Sequence, residues 1–451
     1  MKRTPTLNDL ATALADGKTT AVKLVSECLE RIDDAGGEGR TAFIHVSRAE
    51  ALAAAEAMDK LRSAGAAPSP FAGIPVSIKD LFDIRGEVTR AGSTALDDRA
   101  PAAADAPAVA RLRKAGFVII GRTNMTEFAF SGLGLNPHYG TPKCPFERNI
   151  GRAPGGSSAG AAISVTDGMA HMGLGTDTGG SCRIPAAFSG TVGFKPTARR
   201  VPTAGAIPLS TTLDSIGPLA RTVSCCAIGD AVLAGEPQRT LRPRDARRLK
   251  LAVPQNFVLA DQDEHVAKHF QRALKTLSSA GILIEDLSVP EFDDLPRINA
   301  KGGFAPPEAL AWHRELIARR GKEYDPRVLV RIERGKEQSA VDYIELAETR
   351  LKLIEAVARR LEPYDAFVLP TTPIIAPRIE DLATDPEYAR INVLALRNPS
   401  VINVLDGCAI SIPMHRDGEP PTGLMLAAMA GSDHRLFDIA ASVEALLDAA
   451  D

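Results

Sequence analysis

Two short segments rich in glycine and serine constrain this chain more than any other feature: Ala153-Pro154-Gly155-Gly156-Ser157-Ser158-Ala159-Gly160-Ala161-Ala162, and Gly173-Leu174-Gly175-Thr176-Asp177-Thr178-Gly179-Gly180-Ser181-Cys182-Arg183-Ile184-Pro185-Ala186. Glycine at this density frees φ and removes the Cβ that keeps a backbone away from a ligand, so several N–H groups can converge on one negative atom. Either loop alone reads as an ordinary turn. The two together predict an anion or oxyanion site.

A phosphate cradle of the P-loop type needs Gly-x4-Gly-Lys-Ser/Thr, and Gly155 and Gly160 are followed by Ala161 and Ala162 instead. The dinucleotide fingerprint also fails, because no glycine follows Gly173 and Gly175 at the required spacing. Gly156-Ser157-Ser158-Ala159-Gly160 does satisfy G-x-S-x-G, which would make Ser158 the nucleophile of a hydrolase elbow. That motif requires a strand immediately before it, and Asn149-Ile150-Gly151-Arg152-Ala153-Pro154 has no strand pattern.

Around these loops the periodicity alternates between strand and helix. Gly73-Ile74-Pro75-Val76-Ser77-Ile78-Lys79-Asp80 is short, β-branched and bounded by Gly, and reads as a strand that ends at Lys79. Residues 117–121, 251–253 and 366–369 are further apolar strand candidates. Helical periods run over 20–32, 48–61, 106–115, 264–278 and 339–361. Strands interleaved with helices predict an α/β fold, a mixed sheet flanked by helices. The charged segment 239–361 reads as a peripheral helical layer of the same domain, and one domain is expected over 1–451.

Hydrophobic residues at 45 %, charged residues at 24 % and a net charge of −3 are ordinary globular values that give no general attraction to nucleic acid or anionic membrane. Met1 to Asp9 begins with Lys2 and Arg3 but meets Asn8 and Asp9 before any apolar run, so no signal peptide is read there. The 6 cysteines are scattered, adjacent Cys225 and Cys226 make a poor disulfide pair, and a reduced, cytoplasmic compartment is expected. The 8 histidines are dispersed and show no metal-ligand spacing, so no metal is expected.

The two loops resemble those of the amidase signature family: Gly155-Gly156-Ser157-Ser158-x-Gly160, Gly175-Thr176-Asp177-Thr178-Gly179-Gly180-Ser181-x-Arg183-x-Pro185-Ala186, then Gly190-x-x-Gly193-Phe194-Lys195-Pro196-Thr197. The likeness extends upstream to Gly73–Asp80 and Gly121–Ala129, and downstream to Asp214–Arg221 and Leu369–Pro373. The main departure is Ala159, where the family usually has glycine. The resemblance implies a catalytic triad of Lys79, Ser157 and Ser181, with Ser157 in a cis peptide, and an oxyanion hole from the N–H groups of Thr178, Gly179, Gly180 and Ser181. For Lys79 to act as base it must be neutral near working pH, which burial can achieve. Ser158 is expected to support the loop, Asp177 and Arg183 to brace it as an ion pair, and Lys195 to be structural.

Amide hydrolysis by this relay implies no cofactor. Met125, Phe128 and Ser131 are the candidate substrate-binding residues, with Phe130, Trp312 and Leu369–Pro373 as further places where a pocket wall could lie. The expected partner is a small-molecule amide, with neither nucleic acid nor membrane, and a homodimer is compatible with this reading. Within the same family the glutaminase subunit of a tRNA-dependent amidotransferase is the alternative, and outside enzymes a non-catalytic binding relative.

Overall fold

The computed structural model describes residues 5–450, so the basic start Met1–Thr4 considered for a leader lies outside it. Its centre is one 11-stranded sheet. In chain order the strands are β1 (Phe43–Val46), β2 (Pro75–Lys79), β3 (Val118–Thr123), β4 (Met172–Asp177), β5 (Val192–Lys195) and β6 (Ser215–Ala220). They continue with β7 (Lys250–Pro254), β8 (Leu283–Leu287), β9 (Ala366–Pro370), β10 (Cys408–Pro413) and β11 (Gly423–Ala428). The spatial order is β1-β3-β2-β4-β6-β5-β10-β11-β9-β7-β8.

The sheet is mixed: β2 runs parallel to both β3 and β4, and β7 parallel to β8 and β9, while β4, β6, β5, β10, β11 and β9 alternate in direction. Every residue of β2, β3 and β4 is buried. Helices cover both faces there, which is why these strands read as continuous apolar or small-residue runs and not as alternating ones.

The predicted helices form with boundaries shifted by a residue or two. Ala21–Asp33 starts where Thr20 Oγ1 accepts the Lys23 N–H at 3.1 Å, and its apolar stripe of Val25, Cys28, Leu29 and Ile32 packs with Ala51 and Ala55 of Arg48–Ser63 and with Val118 and Ile120 of β3. Ala340–Leu361 opens with a capping box between Ser339 and Asp342.

The segment 239–361 is more than a peripheral helical layer. It supplies β7 and β8, which lie at one edge of the sheet, and β8 is half exposed there, with Leu283 at 51 %. An edge strand with one open side lacks the apolar run that marks a buried one, so β8 carries little pattern to read.

Candidate active site

Parallel pairing of β2 with β4 sets the site. Val76 lies opposite Met172 and Ile78 opposite Leu174, so both strands end toward the same edge of the sheet, β2 at Lys79 and β4 two residues further on at Asp177. The crevice beyond the carboxyl ends of parallel strands is where open α/β sheets place ligands.

Lys79 is fully buried. Its Nζ donates to Ser157 Oγ at 2.7 Å and to Thr176 Oγ1 at 2.7 Å, and among the described residues no carboxylate pairs with it. Burial lowers its pKa from 10.5 to about 7, against the weaker opposing pull of Cys182, Asp214 and Asp177.

The Gly156-Ser157 peptide is cis. Gly156 admits no side chain, since a Cβ there would lie 2.5 Å from Gly134 N and 2.8 Å from Thr126 Oγ1. Ser157 is anchored by its carbonyl, which accepts the Thr126 N–H at 3.1 Å. Ser158 precedes the helix Ala159–Thr166; its N–H donates to Ser181 O at 3.3 Å and its Oγ to Thr176 O at 3.3 Å. Ala159 is an ordinary first residue of that helix and fully buried. The close approach falls instead on Gly160, where a Cβ would lie 2.2 Å from Ala42 O.

Ser181 sits in the turn between β4 and the helix Arg183–Ser189. The turn is held from below by Asp177, whose carboxylate accepts Gly180 N–H at 2.9 Å, Cys182 N–H at 3.1 Å, Arg183 Nε at 3.0 Å and Nη2 at 2.8 Å, and Asn403 Nδ2 at 2.9 Å. Asp177 and Arg183 have no exposed side-chain surface. Burial would raise the Asp177 carboxyl, but the Arg183 charge and hydrogen bonds, with Asn403 and Lys195, hold it well below the usual carboxylate range. Gly180 takes φ +126°, and a Cβ there would meet Pro399 Cβ at 2.6 Å.

The N–H groups expected to form the oxyanion hole differ in what they meet. The Gly180 N–H is committed to Asp177, whereas the N–H groups of Thr178, Gly179 and Ser181 have no acceptor within the described chain. Thr178 is fixed through its side chain, whose Oγ1 donates to Asp214 Oδ1 at 2.5 Å. Burial raises Asp214 to about 6, although hydrogen bonds from Thr178, Ser210 and Leu209 work the other way. Lys195 is buried and donates to Pro196 O at 2.9 Å and Gly407 O at 2.6 Å, tying β5 to the turn before β10 and making no hydrogen bond to the serines.

Ser181, Thr178 and Gly179 open on a cavity of about 1070 Å³. Its apolar wall includes Phe130, Leu213, Phe304 and Leu396, and its polar wall Ser131, Arg331, Asn392 and Arg397. Of the three residues expected to bind substrate, only Ser131 lines it. Met125 is fully buried in the core, and Phe128, at φ +49°, turns away to pack on His313 and Tyr324 with ring centroids 4.4 and 5.0 Å apart. Trp312 packs edge-on against that same aromatic group, and Leu369–Pro373 closes β9 without reaching the cavity.

Several residues at the site escaped the sequence reading. Thr176 shares Lys79 with Ser157, and Asn403 reaches Asp177 from the far helix Asp385–Val404. Asn392 and Tyr388 of that same helix order Ser131. Among the described residues no group of three or more His, Cys, Asp or Glu side chains is placed to hold a metal ion, and no helix is long and apolar enough to cross a membrane.

Comparison with known proteins places this geometry. The model of the Amidase family matches residues 23–437. The chain is 36 % identical over 447 residues to a 2-amino-5-chloromuconic acid deaminase of Comamonas testosteroni, covering 98 % of this chain and 96 % of that one. It is 31 % identical to a glutamyl-tRNA(Gln) amidotransferase subunit of Corynebacterium diphtheriae, over 97 % of this chain and 96 % of that one. Among solved structures, an amidase superposes with a TM-score of 0.88 at 30 % identity, over 98 % of this chain and 99 % of the other. The native peptide amidase of Stenotrophomonas maltophilia gives 0.79 at 25 %, over 98 % and 97 %. With its mixed sheet, its glycine-rich loops and this breadth of likeness, the chain belongs to the amidase family, hydrolases of amide C–N bonds.

Proposed function

We propose that this chain hydrolyses a small-molecule carboxamide to the carboxylate and ammonia or an amine, with Ser181 as nucleophile, Ser157 as proton relay and Lys79 as base. The observation that carries the reading is the buried Lys79 amine, poised near pH 7 and held 2.7 Å from Ser157 Oγ. A base works best when its pKa lies near the operating pH, and this lysine donates to two hydroxyls, Ser157 Oγ and Thr176 Oγ1, whereas buried Lys195 is tied to two backbone carbonyls.

In the acylation step Ser181 Oγ bonds to the amide carbon while its proton passes to Ser157, whose own proton passes to Lys79. Negative charge collects on the former carbonyl oxygen, where the unpartnered N–H groups of Thr178, Gly179 and Ser181 would receive it. Lys79 returns the proton through Ser157 to the leaving nitrogen, the C–N bond breaks, and an ester to Ser181 remains. Water then attacks that ester, gives its proton to the same relay, and releases the acid with Ser181 restored. No step requires a cofactor.

The deaminase relative supports a small-molecule substrate, and the amidotransferase relative supports the alternative of a glutaminase that works in a complex. Ammonia release by the purified chain alone, from simple amides and from glutamine, separates the two. The triad itself is tested by intact mass after exposure to a fluorophosphonate, followed by peptide mapping. One adduct on Ser181, lost in Lys79→Ala, is the expected result. An adduct on Ser158, or none on a folded protein, would defeat the proposal.

A further inference from the structure

The cavity above Ser181 carries two hydrogen-bond donors that the chain itself leaves unused. Arg331, on the helix Pro326–Glu333, is half-buried, and its guanidinium lies 4.9 Å from the Tyr388 ring centre. It reaches only backbone carbonyls, Phe130 O at 3.3 Å and Arg327 O at 3.0 Å, and does so through Nη1 alone. Three neighbouring arginines are neutralised: Arg327 pairs with Asp385 at 2.7 Å, Arg390 with Glu387 at 2.5 Å and Arg397 with Asp261 at 3.4 Å. Arg334, which also lines the cavity, is exposed to water and donates to Ala300 O at 3.3 Å. Among the described residues no carboxylate pairs with Arg331, and its Nε and Nη2 have no acceptor.

Asn392 supplies the second donor. Its Oδ1 accepts both Ser131 Oγ–H and Gly132 N–H at 2.8 Å. Because a backbone N–H can only donate, this fixes the amide with its oxygen toward Gly132 and its NH2 away from it, and Nδ2 has no acceptor within the described chain. The two donors stand on one buried support, since Tyr388, which carries the Arg331 guanidinium on its ring, donates its OH to Ser131 Oγ at 2.7 Å.

We propose that Arg331 and Asn392 bind a carboxylate of the substrate, so that the amide hydrolysed at Ser181 belongs to an acyl group bearing a second, anionic end. This rests on Ser181 being the nucleophile of the cavity. A planar guanidinium with two free N–H groups matches a carboxylate in bidentate fashion, and an unpaired cation in the wall of a largely apolar cavity gains most from an anion. A neutral amide of the same length leaves both donors unsatisfied, which is the strongest basis a pocket has for rejecting it.

The test separates the two layers. Titration of succinate, glutarate and adipate into the protein by calorimetry reads the Arg331 site without reference to Ser181, and fluorophosphonate labelling reads Ser181 without reference to Arg331. At least one dicarboxylate should bind wild type, and Arg331→Gln should weaken that binding by about a hundredfold, the usual consequence of removing one partner of a charged hydrogen-bonded pair. In hydrolysis, kcat/KM for succinamate should fall with Arg331→Gln far more than that for butyramide, and Arg331→Lys should restore only part of the difference. If no dicarboxylate binds, or Arg331→Gln changes neither the binding nor the succinamate-to-butyramide ratio, the carboxylate site is wrong. A wild-type protein that binds dicarboxylates but is not labelled at Ser181 would instead remove the nucleophile on which the reading rests.

Discussion

Lys79 Nζ lies 2.7 Å from Ser157 Oγ at the buried end of β2, with Thr176 Oγ1 as its other partner. Burial has taken the amine to about 7, so its neutral form, the one able to accept a proton, dominates above that pH. The pH profile of kcat/KM should therefore rise with pH and bend near 7, losing about tenfold per unit below the bend as one proton is taken up. A profile that stays flat from about pH 5 to 9, measured with a substrate that does not titrate there, would exclude Lys79 as the base.

The same shift makes a statement about stability. Unfolded Lys79 holds its proton to about 10.5 and folded Lys79 only to about 7. Between those values the unfolded chain binds more protons, so this group makes stability rise with pH, by about 1.4 kcal/mol per unit. Lys79→Met removes the contribution. The unfolding free energy of the variant minus that of wild type should be greatest at or below about pH 7 and shrink as pH approaches about 10. Urea denaturation of both proteins at about pH 6.5, 8 and 9.5 checks the slope, and a difference that grows with pH would contradict the lowered pKa.

Asp177 and Arg183 form a closed buried pair whose other lone pairs and protons go to Gly180, Cys182, Asn403 and Pro399 O. Arg183→Met leaves the Asp177 charge buried without its main partner and should cost about 3–5 kcal/mol in unfolding free energy. The Asp177→Asn, Arg183→Met double variant removes both charges and should recover part of that loss, a non-additivity read directly in a double-mutant cycle. Strict additivity would mean that the two side chains do not act as a pair.

How much of this was legible in the sequence divides along physical lines. The strand ending at Lys79 and the helices at 20–32 and 339–361 declare themselves by local period, and the glycine-rich loops by composition, because each depends on neighbours in the chain. Thr176 is harder to see: it lies in β4, and only the parallel pairing of β4 with β2 brings its hydroxyl to Lys79. Asn392 and Asn403 lie in a helix whose polar residues look like a solvated face until the fold turns them onto Ser131 and Asp177. Met125 and Phe128, expected at the substrate, lie buried outside the cavity lining for a related reason. Apolar residues serve cores and pockets equally well, and the positive φ that turns Phe128 toward Tyr324 leaves no mark in composition.

Ser158 gives the sharpest discrimination among the serines. Its hydroxyl donates to Thr176 O, at 3.3 Å, a long hydrogen bond beside the proposed relay and not within it, while Lys79 reaches Ser157. Losing one neutral hydrogen bond of that kind costs about 1 kcal/mol, so Ser158→Ala should keep kcat/KM within about tenfold of wild type. Ser181→Ala removes the proposed nucleophile and should abolish turnover, and Ser157→Ala and Lys79→Ala break the proposed proton path and should lose several orders of magnitude. Steady-state kinetics on the four variants, with folding checked by thermal denaturation, gives the order. Should Ser158→Ala prove as damaging as Ser181→Ala, Gly156-Ser157-Ser158-Ala159-Gly160 would have to be reread as a nucleophile elbow, with the relay through Ser157 abandoned.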